Sequence, residues 1–202
     1  MEKRTIAVDI DDVLAANAAG FVAFSNATWG TNLSVKNYNE DWRELWQVEL
    51  DEAERRAVIL HESGVIGTYD HYEESLSVLQ RLKERYRLAI VTSRRKSIQT
   101  ETEQWVERNF PGVFESIHFA GIYDDELHEA MFSRTKLAIL QENSVDYLID
   151  DQIKHCIAAA SAGVQAILFG DYPWNQADEL PAGVTRCVDW VAVGEYFDAR
   201  TA

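Results

Sequence analysis

The sequence predicts an α/β fold: a parallel β-sheet flanked by helices, with a helical insertion after the first strand. Three observations carry that expectation. Five short apolar runs rich in β-branched residues read as strands, at about 5–9, 87–92, 116–119, 146–150 and 165–169. Helical patterns fill most of the intervals, and that alternation implies right-handed βαβ units with helices on both sheet faces. The interval 16–70 is the exception, holding several helical stretches and no convincing strand.

The first run, Thr5-Ile6-Ala7-Val8, breaks abruptly into Asp9-Ile10-Asp11-Asp12-Val13. Carboxylates cannot sit unpartnered inside a buried strand, because an unpaired buried charge is far too costly. They belong at the strand's carboxyl end, where open α/β sheets bind ligands. A turn there brings Asp9 and Asp11 to one spot. One can then act as nucleophile and the other as acid/base, with a cation holding their charges together. Asp is also a favoured helix cap, but three acids in four residues exceed what one cap needs.

The interval 16–70 carries Phe21, Phe24, Trp29, Tyr38, Trp42 and Trp46, with breaks near Gly30-Thr31-Asn32 and around Leu50-Asp51. Emerging from the acidic turn, it is expected to fold as a small helical cap over the strand end. The expected division is therefore a core domain of residues 1–15 and 71–202 and a cap domain of residues 16–70. Most of the cap aromatics should pack on one another. Trp42 and Trp46, at i,i+4 on one helical face, together with Phe21, are the candidates to meet substrate in an apolar-lined cleft.

Residues 74–86 place Leu76, Leu79, Leu82 and Tyr86 on one helical face ahead of the second strand. Residues 97–110 offer Ile98, Trp105, Val106 and Phe110 for burial, and Pro111-Gly112 stops that helix. Residues 134–143 offer Leu137 and Leu140; residues 152–162 offer Ile153, Cys156, Ile157 and Ala160, with Gly163 where a C-cap belongs. After the fifth strand a turn through Asp171-Tyr172-Pro173-Trp174-Asn175 leads to a short helix near 189–199, which buries Trp190, Val193, Tyr196 and Phe197. The architecture expected is thus a Rossmann-like parallel sheet flanked by helices, with the small cap inserted after the first strand.

Composition narrows the function. At 202 residues and 47% hydrophobic, the chain can bury a full core. Lys and Arg total 19 against 34 Asp and Glu, a net charge of −15 that argues against gripping a nucleic-acid polymer. A small phosphorylated ligand needs only a few local cations and a metal. Cys156 and Cys187 make no metal-like cluster. The opening Met-Glu-Lys-Arg does not read as a secretory signal, and no run approaches the ~18 apolar residues that cross a bilayer. A cytoplasmic protein without membrane attachment is expected, with a homodimer left open.

Three strand ends carry distinct chemistry. The first has Asp9 and Asp11. The second ends in Thr92-Ser93-Arg94, hydroxyls and amides suited to phosphate oxygens. The fourth ends in Asp150-Asp151, placed to complete a metal site of the oxygen donors that Mg²⁺ prefers. Lys136, opening the helix before that strand, can reach back to neutralise a phosphate or the nucleophile. Each feature alone could be a cap or a surface group. Their succession at parallel strand ends is hard to obtain from capping.

That succession, DxDxV, then a strand ending in Thr-Ser, then Lys, then a strand ending in Asp-Asp, resembles the haloacid dehalogenase superfamily across Thr5 to Phe169. The resemblance implies that Asp9 is the nucleophile, forming an aspartyl-phosphate, and Asp11 the general acid/base. It implies that Thr92, with Ser93, Arg94 and Lys136, binds the phosphoryl group. Asp150 would ligate Mg²⁺ with Asp9 and the backbone carbonyl of Asp11, and Asp151 would serve as a ligand or outer support. Asp11 points to phosphoryl transfer rather than dehalogenation. The helical insertion, Thr92-Ser93, Arg134-Thr135-Lys136 and Leu168-Phe169-Gly170-Asp171-Tyr172-Pro173-Trp174-Asn175 resemble the 5′(3′)-deoxyribonucleotidase branch, which implies a nucleoside monophosphate as substrate. Two features depart from that branch: Asp12 stands where a Gly is usual, and Asn17 where an aromatic is frequent. The alternatives are a phosphatase or phosphotransferase acting on a sugar or other small phosphate, and a non-catalytic binding protein.

Overall fold

The computed structural model of the protein describes residues 3–121 and 129–200, with 129–134 described as backbone only. Among the described residues one sheet is formed by β1 (Thr5–Val8), β2 (Arg87–Thr92), β3 (Ser116–Phe119), β4 (Tyr147–Asp150), β5 (Gln165–Phe169) and β6 (Val184–Cys187). All neighbours are parallel, in the order β3-β2-β1-β4-β5-β6. The chain therefore builds outward from β1 to β3, then crosses back to lay β4 on β1's other edge. Where strand order reverses, the connections leave in opposite directions and open a crevice at the carboxyl ends of the strands. Here that point falls between β1 and β4, the strands ending beside Asp9 and in Asp150.

Helices cover both sheet faces because alternate strand residues point to opposite sides. Ile6, Val8, Leu88, Ile90 and Ile149 pack with Trp105 of α5 (Gln99–Asn109), Leu79 and Leu82 of α4 (Glu73–Leu82), and Trp190 and Phe197 of α8 (Trp190–Asp198). Ala7, Val91, Leu148, Ala166 and Leu168 face the other way, onto Leu140 of α6 (Glu129–Glu142) and Cys156 and Ala159 of α7 (Ile153–Ser161). Gly163 follows α7 at φ 86°, a left-handed conformation that suits glycine beyond a helix end.

The sheet exceeds the sequence reading by one strand. β6 lay in the interval read as a turn before the last helix. It is four residues long with exposed Thr185 and half-buried Arg186 at its centre, and such a short edge strand offers no apolar run to read.

Between β1 and α4 the chain runs through α1 (Asn17–Trp29), a 3₁₀ turn at Val35–Asn37, α2 (Trp42–Trp46), α3 (Leu50–Glu62) and a 3₁₀ turn at Val65–Thr68. α1 stops at Gly30, φ 63°, and α3 starts at Leu50, at the breaks visible in the sequence. Departure and return lie side by side: Ala16 N donates to Asp70 O at 2.8 Å and Tyr72 N to Leu14 O at 3.1 Å. α1 sits close on the returning chain at Gly20, where a Cβ would stand 2.3 Å from the Tyr69 ring. Among the described residues no helix is long and apolar enough to cross a membrane.

Candidate active site

β1 ends at Val8, and Asp9 N still donates to Ile149 O at 2.9 Å, so β4 fixes the backbone of the first acid. The chain then folds tightly: Leu14 N and Ala15 N both donate to Ile10 O at 2.8 Å. Asp12 takes φ 56° in this turn, explaining why glycine suits the position. Its carboxylate has a structural use, accepting from Ala18 N at 3.0 Å and Asn17 Nδ2 at 3.3 Å at the start of α1. One acid of the three is therefore a cap. Burial raises its pKa to about 7.

Lys136 links the first and fourth strand ends. Its buried ammonium lies 2.6 Å from Asp150 Oδ2 and 3.2 Å from Asp9 Oδ1. Burial opposes its charge, but the two carboxylates outweigh that and raise its pKa. Asp150 is also buried, yet Lys136 and His155 overcome burial and lower its pKa. Both its oxygens are engaged: Oδ1 accepts from Gln152 N at 2.8 Å, Oδ2 from Lys136, and His155 Nδ1 lies 3.2 Å from Oδ2. Asp9 is held less completely. Lys136 pairs with Oδ1 at 3.2 Å, and among the described residues no other group donates to that buried oxygen. Burial, stronger here than the lysine, raises the Asp9 pKa to about 7.

Asp151 completes the cluster. Its Oδ2 accepts from Trp174 Nε1 at 2.6 Å and from Gln152 Nε2 at 2.9 Å, while no hydrogen bond among the described residues falls on Oδ1. Burial, followed by the charges of Asp150, Asp12 and Asp9, raises its pKa well above the usual range. Asn175 Nδ2 donates to the Asp151 carbonyl at 3.0 Å, so the turn after β5 grips this residue twice. One oxygen from each of Asp9, Asp150 and Asp151 lies within 4.8 Å of the others. Of these three buried carboxylates, Lys136 pairs with Asp9 and Asp150. An all-oxygen donor set with excess negative charge fits a hard divalent cation.

At the end of β2, buried Thr92 accepts from Arg94 N through Oγ1 at 3.2 Å, and the buried Ser93 Oγ has no hydrogen-bond partner among the described residues. The Arg94 guanidinium, read from the sequence as phosphate-binding, is committed instead to the Asp11 carboxylate at 2.7 Å. Burial disfavours its charge, but Asp11 outweighs that and raises its pKa. The Arg134 side chain lies outside the described residues.

These groups open onto a cavity of about 710 Å³. Asp9, Asp11, Ser93 and Asp151 line one end; Trp42, Ala53, Ala57 and His61, from the helical insertion, line the other. Burial, with help from Arg95, lowers the His61 pKa to about 4, leaving a neutral ring beside Trp42. Glu40 and Lys154 join the insertion to α7 across this cavity at 2.5 Å. Of the three aromatics expected to meet substrate, only Trp42 reaches it. Phe21 is fully buried against both Trp42 and Trp46, and Trp46 donates Nε1 to Ser25 Oγ at 3.0 Å inside the insertion. The rings pack on themselves: Phe21 of α1 meets Trp42 and Trp46 of α2, which also touch each other. Trp174, His155, His61 and Asn175 were not singled out as functional residues, since each joins the site through a contact distant in sequence or a buried wall.

The family model for the 5′ nucleotidase, deoxy (pyrimidine), cytosolic type C protein (NT5C) matches residues 3–196. A Bacillus subtilis (strain 168) protein named "Putative nucleotidase YqfW" is 22% identical over 199 residues, covering 96% of this chain and 93% of its own. Among solved structures, the haloacid dehalogenase-like hydrolase SP0104 of Streptococcus pneumoniae superposes with a TM-score of 0.71 at 16% identity, covering 96% of this chain and 98% of that one. The Bacillus subtilis protein described as HAD-hydrolase YfnB bound to magnesium gives 0.66 at 13% identity, covering 98% and 100%. At such identities these two likenesses speak for the fold. Since the family model spans nearly the whole chain, with the acids, lysine and hydroxyls gathered at one strand end, the protein belongs to the NT5C family of haloacid dehalogenase-like phosphohydrolases, which are phosphoric monoester hydrolases.

Proposed function

We propose that this protein is a Mg²⁺-dependent nucleotidase of the 5′(3′)-deoxyribonucleotidase type, hydrolysing small nucleoside monophosphates in the cytoplasm through an aspartyl-phosphate on Asp9. The observation that carries the reading is the gathering of buried Asp9, Asp150 and Asp151 at one point, with Lys136 paired to Asp9 and Asp150 and with Asp9 and Asp151 lining the cavity. Buried carboxylates crowded together beside a cavity mark a functional site.

In this reading Asp9 attacks the phosphorus and its oxygen–phosphorus bond forms as the ester bond breaks. Asp11 gives a proton to the departing oxygen, then takes one from the water that hydrolyses the aspartyl-phosphate. Ser93 Oγ and the Lys136 ammonium stabilise the equatorial oxygens, with Thr92 shaping the loop that presents them. Asp9, Asp151 and the Asp11 carbonyl would hold Mg²⁺, and Asp150, with both oxygens taken, anchors Lys136 from behind. When bound there, Mg²⁺ would offset the carboxylate charge, favour ionised Asp9 and supply positive charge to the phosphoryl group. Residues 16–70 act as a cap whose wall, with Trp42, reads the leaving group.

The test is phosphate release from 5′- and 3′-nucleoside monophosphates, ribo and deoxy, beside sugar phosphates, each with Mg²⁺ and with EDTA. Mg²⁺-dependent release strongest on deoxynucleotides supports the proposal. Release favouring sugar phosphates keeps the chemistry and discards the substrate. Asp9→Asn should be folded and inert; retained turnover rules out Asp9 as nucleophile.

A further inference from the structure

Asp11 and Arg94 form a contact that phosphate binding does not explain. Both residues line the cavity; the Asp11 side chain is about a third exposed (32%), whereas that of Arg94 is 3% exposed. Arg94 Nη2 donates to Asp11 Oδ1 at 2.7 Å, and Nε reaches Oδ1 at 3.2 Å and Oδ2 at 3.1 Å. The guanidinium is held in turn: Nη1 donates to the buried Thr102 Oγ1 of α5 at 3.2 Å. Its own backbone N donates to Thr92 Oγ1 at 3.2 Å. The acid on the β1 loop thus has its side chain fixed from β2 and α5. A guanidinium is a rigid planar fork that dictates the plane of the carboxylate it meets, as a lysine cannot. The two carboxylate oxygens are not equivalent. Among the described residues Oδ1 takes two contacts, one short; Oδ2 takes a single longer one and keeps capacity to carry a proton.

We propose that Arg94 is a positioning residue for proton transfer, fixing the Asp11 carboxylate so that Oδ2 delivers its proton to the oxygen leaving phosphorus. The inference rests on the reading of Asp11 as acid/base. As the Asp9–phosphorus bond forms, the ester P–O electron pair passes to the leaving oxygen, which takes the Oδ2 proton, and Asp11 is left as the carboxylate. A fixed general acid matters most when the leaving group is a poor one and least when it departs readily as an anion.

The experiment therefore compares kcat/KM for phenyl phosphate and 2,4-dinitrophenyl phosphate, with Mg²⁺, in wild type, Arg94→Met, Arg94→Lys and Asp11→Asn. kcat/KM reports the step in which the leaving group departs, so slow dephosphorylation does not mask it. For Arg94→Met the fall on phenyl phosphate is expected to be about 100-fold, the usual scale of general acid catalysis. The fall on the dinitrophenyl ester should be at least about tenfold smaller, the same pattern as Asp11→Asn. An equal fall on both esters means Arg94 only supports the loop and overturns the inference. A gain on phenyl phosphate also overturns it. Should Arg94→Met fail to fold, Arg94→Lys keeps the buried charge but not the fork: the same differential in smaller measure supports the proposal, and an equal fall refutes it. Asp9→Asn separates the two levels. If it is inert while Arg94→Met loses both esters equally, only the Arg94 role falls. If it turns over either ester, the mechanism fails and this inference with it.

Discussion

Lys136 carries the electrostatic load of the site. It is 1% exposed, lies between Asp9 and Asp150, and is the ion-pair partner of both. Removing one partner of a buried ion pair is strongly destabilising because the other charge stays buried and uncompensated. Lys136→Met should therefore destabilise the fold by about 3–5 kcal/mol. Asp150→Asn in the same chain should recover a large part, since it removes the charge Lys136 chiefly serves. Urea denaturation of the two single variants and the double variant checks this. If the losses simply add, the ion pair is not what holds these residues in place. At this scale the sequence told which residue types gather but not how their atoms divide. Asp9, Asp150 and Asp151 were legible as acids at strand ends. That Asp150 is spent on Lys136 and Gln152, while among the described residues no hydrogen bond falls on Asp151 Oδ1, depends on hydrogen bonds that no local pattern encodes. Arg94 shows the same limit: Thr92-Ser93-Arg94 suggested phosphate contacts, and its partner lies 83 residues away.

The start of α1 shows how an element can tolerate a residue that breaks a local rule. Asp12 sits at φ 56°, which costs a non-glycine residue on the order of 1 kcal/mol. Its carboxylate recovers a similar amount by capping Ala18 N. Asp12→Gly should thus be close to neutral, exchanging the cap for relief of strain. Asp12→Ala loses the cap and keeps the strain, and should be less stable by about 1–2 kcal/mol. Asp12→Asn keeps an acceptor and a residue that accepts left-handed φ, so it should match the wild type near pH 7. Chemical denaturation of the three variants tests the ordering, and equal stability of Gly and Ala would refute it. The first turns of α1 make a similar point against the returning chain. Gly20 has no turn to make, but the Tyr69 ring lies against it, so Gly20→Ala should cost about 1–3 kcal/mol through overpacking. Tyr69→Leu in the same chain should relieve part of that, read as a recovery in thermal midpoint. Helix boundaries at Gly30 and Leu50 were visible because a glycine and a change of pattern mark them. β6 was not, because an edge strand of four mixed residues differs little from a turn.

For the molecule as a whole, the parallel sheet places its carboxyl-end crevice between β1 and β4, and the chain's acids collect there. This makes the fold sensitive to pH and to metal together. Asp9 and Asp12 have pKa values raised to about 7 by burial, and Asp151 is raised further. For a carboxyl group whose folded pKa lies above its unfolded value near 4, the folded state binds more protons in between, so stability falls as pH rises through that window. Asp150, whose pKa is lowered, and Lys136, whose pKa is raised, are both shifted toward their charged forms and contribute no slope there. On the proposed function, a divalent cation would bind the ionised form of Asp9 and Asp151 and would have to displace their protons at low pH. Mg²⁺ should therefore raise the melting temperature by several degrees at pH 8 and by much less at pH 5.5. The quantity to measure is the difference in melting temperature between Mg²⁺ and EDTA at each pH. That difference cancels groups whose titration the cation does not alter, including His61, whose lowered pKa makes stability fall instead as pH drops from about 6.5 toward about 4. A Mg²⁺ effect of equal size at both pH values would mean the cation does not meet the buried carboxylates. Asp151→Asn offers the complementary test on the same axis: it should lose most of the stabilisation by Mg²⁺ at pH 8. In EDTA it should be at least as stable as the wild type, because an amide replaces a carboxylate that burial disfavours.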